Sequence, residues 1–110
     1  MQKIIVLLLC TFLACNGFSQ SYPDSEKDGK YVTANGAKLW VVTVGKGQPL
    51  ILVSGGPGGA HVGLRRFGSL AQDNMLVYYD AFGRGKSDTA KKVEEYSLER
   101  DIEDLEGLRK

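Results

Sequence analysis

Cysteine is missing from most of the chain: Cys10 and Cys15 both lie near the N-terminus, so the remainder holds no internal disulfide. Histidine occurs once, as His61. A lone histidine without cysteines or clustered carboxylates at ligand spacing is poor material for a zinc site. Excess charge is also lacking. The formal net charge is +1, and without Lys3 the 13 remaining basic side chains stand against 13 acidic ones. That balance favours neither phosphate backbones nor anionic membranes, and no nucleic-acid partner is expected. Repeats and low-complexity tracts are absent. What is present, 43% hydrophobic and 25% charged residues, is the composition of a globular segment rather than of a disordered one.

The longest apolar run, Ile4 to Ala14, follows Lys3 and leads into Asn16, Gly17, Phe18 and Ser19. A short basic region, a hydrophobic stretch and small residues before a cut are the pattern of a secretory signal peptide, here residues 1–19, with cleavage before Gln20. The run is too short to span a bilayer as a helix. An alternative stays open, because Leu13-Ala14-Cys15 is also the pattern of a bacterial lipoprotein box in which Cys15 would be lipidated. Either way the expectation is an exported protein, periplasmic or secreted, or else anchored as a lipoprotein. About 90 residues without disulfides must rely on their core alone, and a chain that small buries only somewhat over ~60% of its unfolded surface.

Residues 20–30 are polar, contain Pro23 and Gly29, and read as a linker into a domain spanning 31–110. Tyr31 to Thr33 and Leu39 to Val44 are rich in β-branched and aromatic residues, and Asn35-Gly36 between them suits a tight turn, so an antiparallel hairpin is predicted. Leu50-Ile51-Leu52-Val53 is a continuous apolar run, the mark of a strand covered on both faces. Leu64, Phe67, Leu70 and Ala71 recur at helical steps, and Met75 to Tyr79 reads as another strand. Ser97 caps a last helix whose stripe is Leu98, Ile102, Leu105 and Leu108, with Glu99 and Asp101 near its positive end. The acidic face from Glu99 to Glu106 reads as solvated. A hairpin followed by alternating strands and helices predicts an α/β fold with a mainly parallel sheet. The helical pattern reaches Lys110 without a stop signal, so a following strand is expected to be lacking.

Two loops carry the chemistry. Ser54-Gly55-Gly56-Pro57-Gly58-Gly59 follows the apolar strand and precedes a helix, at the carboxyl edge of the sheet where open α/β folds bind ligands. Bare main-chain N–H groups there can face a developing oxyanion, and one such donor contributes about 3 kcal/mol to an acyl-transfer transition state. The second loop, Asp80 to Asp88, contains Gly85-Lys86-Ser87. A phosphate-binding G-x-x-x-x-G-K-[ST] motif would need glycine where Asp80 stands. A G-x-G-x-x-G motif started at Gly56 ends on His61 instead of glycine. No cofactor is implied.

Val53-Ser54-Gly55-Gly56-Pro57-Gly58-Gly59 resembles the His-Gly-Gly-Pro-Gly loop of proline iminopeptidases, a branch of the α/β-hydrolases. Asp80-Ala81-Phe82-Gly83-Arg84-Gly85-Lys86-Ser87-Asp88 resembles the family's Asp-x-x-Gly-x-Gly-x-Ser loop, and Tyr96 to Arg109 its helix before the nucleophile strand. The resemblance covers about residues 31–110 and implies the N-terminal, incomplete part of an α/β-hydrolase fold. It implies an oxyanion hole built on the amide of Gly56, with Gly55 beside it. Pro57, Gly58, Asp80, Gly83, Gly85 and Ser87 are implied as the structural residues of the two loops. Substrates implied for a complete relative are peptides or small esters and amides. The triad of this fold runs Ser, Asp or Glu, His along the chain, with serine in a G-x-S-x-G elbow. None of Ser54, Ser69, Ser87 and Ser97 has that surrounding, so this chain alone is expected not to turn over. That chain order also places His61 too early to be the base, and it reads as a surface or loop-packing histidine. Two positions depart from the family pattern: Ser54 stands where histidine is usual, removing a side chain that could fix the loop, and Phe82 stands where arginine is usual.

Overall fold

The computed structural model describes residues 29–55 and 58–110. The leader at 1–19, Cys15 and the linker as far as residue 28 lie outside the described residues, as do Gly56 and Pro57. Four strands form one sheet in the order β1-β2-β4-β3, where β1 is Gly29–Ala34, β2 Ala37–Val44, β3 Gln48–Leu52 and β4 Asn74–Tyr79. The predicted hairpin is β1 and β2, antiparallel with Ala34 opposite Ala37. Asn35 and Gly36 take φ of 48° and 76° between them, as a two-residue turn matched to strand twist requires. Strand pairing begins at Gly29, two residues before the expected domain start, because Gly29 and Lys30 still have partners in Val42 and Val41.

β2 also pairs antiparallel with β4, and β4 pairs parallel with β3. The parallel pair, with Leu52 opposite Tyr78, sends the chain out of β3 and β4 at the same sheet edge. Alternation along the strands divides the core. Trp40, Val42, Leu76 and Tyr78 face one side, joined by Leu52, Leu64 and Ala71. Val41, Tyr79 and Ala81 face the other, joined by Ile51, Val77, Leu105 and Leu108. Leu39, Leu76 and Val42 are almost wholly excluded from water, each worth about 1.5–3 kcal/mol relative to exposure.

Several expectations need correction. β3 is not covered on both faces: it is the edge strand, and Leu50 remains 36% exposed. Pro49 is tolerated in it because an edge strand can spare a donor. The segment after the glycine-rich loop is a 3₁₀ helix, His61–Gln72, rather than an α-helix. Gly63 and Gly68 weaken α propensity there, and Ala60 supplies no capping side chain. Of its apolar stripe only Leu64 and Ala71 pack on the sheet, while Phe67 and Leu70 stay exposed.

The last helix, α1 (Leu98–Arg109), is capped as predicted, the Ser97 hydroxyl accepting from the Arg100 amide at 3.2 Å. Its stripe is only half covered, since Leu105 and Leu108 pack on the sheet but Leu98 and Ile102 are exposed. Its acidic face is not wholly solvated either. Asp104 is 1% exposed, and the Arg100 guanidinium lies 3.7 Å from its Oδ2. The cause is the close approach of α1 to the hairpin turn, where Gly107 leaves room for Ala34. Among the described residues no helix is long and apolar enough to cross a membrane.

Candidate functional site

Both predicted loops leave the sheet where β3 and β4 end. Gly55 lies three residues past β3 and is exposed, and its amide has no hydrogen-bond partner among the described residues. A side chain added at Gly55 would meet open space. Gly58 has a φ of 82° and is likewise surrounded by open space. Gly56, the residue on which the oxyanion reading centres, lies with Pro57 outside the described residues. Ser54 does what its substitution for histidine seemed to forfeit. Its hydroxyl donates to the Gly59 carbonyl at 3.0 Å, closing the loop across its mouth.

The second loop is organised around Asp80, which is 1% exposed. Its Oδ1 accepts from the backbone N–H of His61 at 2.8 Å and lies 2.7 Å from His61 Nδ1. Its Oδ2 accepts from the amide of Lys86 at 3.0 Å. Ser87 bridges to the sheet, donating its hydroxyl to the Asp80 carbonyl and accepting the Trp40 amide at 2.8 Å. Asp88 continues the attachment by accepting the Lys38 amide at 2.8 Å. Gly85 has a φ of 52°, and a side chain there would collide with the Asp80 carboxylate. Gly83, at a φ of 77°, has the Tyr96 ring packed against it in the same way. Thus Asp80, Gly83, Gly85 and Ser87 fall together in one turn, of which Asp80 and Ser87 are buried and Gly85 is exposed.

Phe82, in the place of arginine, supports this loop by packing. It is buried with Ala34, Ala37 and Leu39, lies 5.6 Å from the Tyr96 ring, and carries the Arg100 guanidinium on its face at 3.6 Å. The Lys86 ammonium lies 4.8 Å from the centre of the Trp40 ring, an arrangement of cation on aromatic face that differs from a phosphate-cradling lysine. Sequence reasoning saw His61 as a loop residue but missed its partner. Nothing local points to Asp80, which is nineteen positions away.

Between the β3 and β4 ends and α1 lies a cavity of about 310 Å³, lined by Val53, Ser54, Tyr79, Arg84, Ile102 and Leu105 among others. Arg84 reaches Asp101 of α1 at 3.3 Å along this wall. Burial pushes the Tyr79 hydroxyl above its usual range, with the Asp101 charge adding and Arg84 opposing, so Tyr79 is a neutral phenol there near pH 7. The chemistry available at this edge is hydrogen-bond donation from exposed main chain beside an apolar wall, which is what an oxyanion-stabilising loop supplies.

No protein-family model matches the sequence. A proline iminopeptidase from Saccharolobus solfataricus is 37% identical over 67 residues, which are 60% of this chain and 22% of that relative. The chain therefore spans less than a quarter of the length of that curated relative. Among solved structures, an α/β-hydrolase from Sphaerobacter thermophilus is 31% identical with a TM-score of 0.63, over 72% of this chain and 30% of that one. An epoxide hydrolase from Vigna radiata superimposes with a TM-score of 0.68 at 21% identity, over 76% of this chain and 28% of that one, a likeness of fold alone. By sequence the chain is similar to proline iminopeptidases over 60% of its length, and its fold matches that of the α/β-hydrolases over part of their length.

Proposed function

We propose that these residues are the oxyanion-loop portion of a serine hydrolase that releases N-terminal residues from peptides. In this reading the amides of Gly56 and Gly55 donate to the carbonyl oxygen under attack, and Ser54 and Asp80 hold the two loops that frame them. The observation that carries it is the exposed Gly55 amide, without a hydrogen-bond partner among the described residues, at the carboxyl edge of the parallel strand pair. The nucleophile, its base and the acid belong to sequence outside these residues, since no G-x-S-x-G elbow occurs in them. One donor in an open site supplies a small fraction of the ~8–23 kcal/mol of a typical enzyme's barrier reduction, so the 110 residues alone are inactive.

The test is to offer a proline arylamide and a simple ester to a protein in which this segment is followed by a G-x-S-x-G strand in the same reading frame. Cleavage of the arylamide supports the peptidase reading, cleavage of the ester alone restricts it to an esterase, and cleavage of neither rejects it. The absence of the elbow favours a second reading, a non-catalytic remnant or binding module of the same fold. Under it, the reading frame past codon 110 encodes unrelated sequence. Export belongs to the same proposal: the intact mass of the secreted product distinguishes cleavage before Gln20 from lipidation at Cys15.

A further inference from the structure

Two loops meet at one carboxylate, that of Asp80. His61 stands directly after the glycine-rich loop, and it meets Asp80 Oδ1 twice, through its backbone N–H at 2.8 Å and its ring Nδ1 at 2.7 Å. The other oxygen of Asp80 holds the amide of Lys86 in the second loop. His61 and Asp80 are 2% and 1% exposed. The Nδ1 contact to a carboxylate oxygen fixes the ring's orientation. His61 Nε2 is buried with no hydrogen-bond partner among the described residues. A histidine kept solely to fill space would not need its backbone N–H and its ring Nδ1 both turned onto one carboxylate oxygen.

We infer that His61 is a positioning residue: through the two oxygens of the Asp80 carboxylate it ties the exit of the Gly55 to Gly59 loop to the loop of Lys86, so that the two order as one unit. The inference rests on the hydrolase reading for its purpose, because an oxyanion donor helps only if fixed before reaction. The mechanical coupling itself can be tested without any turnover. It is separate from the Ser54 closure, which acts within the first loop. If the coupling holds, loosening the His61 ring contact must expose the Lys86 amide, which is held by the other oxygen of the same carboxylate.

The experiment compares amide hydrogen exchange at residue 61 and at Lys86 in the whole chain and in two variants, each referenced to the amide of Val42 in the sheet core. In His61→Asn the side-chain amide can stand where Nδ1 stood, and in His61→Gln it stands nearer Nε2. Coupling predicts that His61→Gln raises exchange at both sites by roughly tenfold relative to Val42, the loss of about one buried hydrogen bond, and that His61→Asn restores most of the protection. Equal effects of the two substitutions, or a Lys86 amide indifferent to both, would overturn the inference while leaving the hydrolase reading untouched. A variant that loses its fold betrays itself by a parallel rise at Val42, in which case Asp80→Glu, which keeps the charge but shifts the oxygen, replaces it with the same predicted rise at both sites. Unchanged protection at both sites in Asp80→Glu would equally overturn it. Preserved coupling in a completed protein that cleaves neither arylamide nor ester would instead reject the hydrolase reading alone.

Discussion

Oδ1 of Asp80 lies 2.7 Å from Nδ1 of His61, both side chains almost wholly buried, and this contact links the ends of two loops that sequence reading treated separately. Asp80 also receives the amides of His61 and Lys86. Replacing it by asparagine retains the shape but turns one acceptor into a donor that faces another donor. Asp80→Asn should therefore cost about 2–4 kcal/mol, read as a lower midpoint in urea unfolding with an unchanged slope. A variant as stable as the parent would mean that these bonds contribute nothing net.

Gly85→Ala meets two obstacles, a left-handed backbone and the carboxylate of Asp80 in the space its methyl would need. The expected loss is roughly 2 kcal/mol or more, measured by the same unfolding titration. Gly55→Ala is the control. Open space surrounds Gly55 and its φ is not positive, so its loss of stability should stay within about 0.5 kcal/mol.

Asp104 gives a pH dependence of known sign. Burial raises its pKa above the ordinary 3.8, with the Asn35 amide and the Arg100 guanidinium at 3.7 Å offsetting only part of this. The folded state then binds the proton more tightly than the unfolded one. The stability advantage is fully present below pH 3.8 and is lost as pH rises through the higher, folded value. Asp104→Asn, neutral throughout, should be more stable than the parent at pH 7 by on the order of 1 kcal/mol, with the difference closing in acid. Thermal melts at pH 7 and pH 3 would check it, and a gap of the same size at both would refute the assignment.

Val53, Leu98 and Ile102 are 56%, 71% and 58% exposed beside the free edge of β3. An apolar surface next to an unpaired edge strand favours self-association. The isolated 20–110 segment should elute as oligomers or aggregate in size-exclusion chromatography. Leu98→Lys with Ile102→Glu should shift it towards monomer while changing stability by only about 0.5 kcal/mol.

Much of the backbone was legible in the sequence because local rules decided it. Asn35-Gly36 specified the hairpin turn, and Ser97 specified the start of α1. The strands were legible from apolar runs, but whether both faces of a run are covered depends on what packs over them, which is why Leu50 was misjudged. Periodicity alone did not distinguish a 3₁₀ helix from an α-helix, and it could not show that Asp104 would be trapped against the hairpin turn. At the site, Asp80, Gly83, Gly85 and Ser87 lie in one turn, as their closeness in the chain requires. The His61 contact and the Ser54 closure were not legible, because each depends on how two loop ends meet in space.

The most direct measurement is hydrogen exchange at the Gly55 and Gly56 amides of the folded chain, resolved residue by residue by NMR. Donors kept free for a substrate oxygen should exchange within about tenfold of the rate of an unstructured peptide, while Val42 in the sheet is strongly protected. Protection of these two amides by about a hundredfold or more would mean that they are already bonded within the chain. They would then have nothing to offer an oxyanion, and the account would be contradicted.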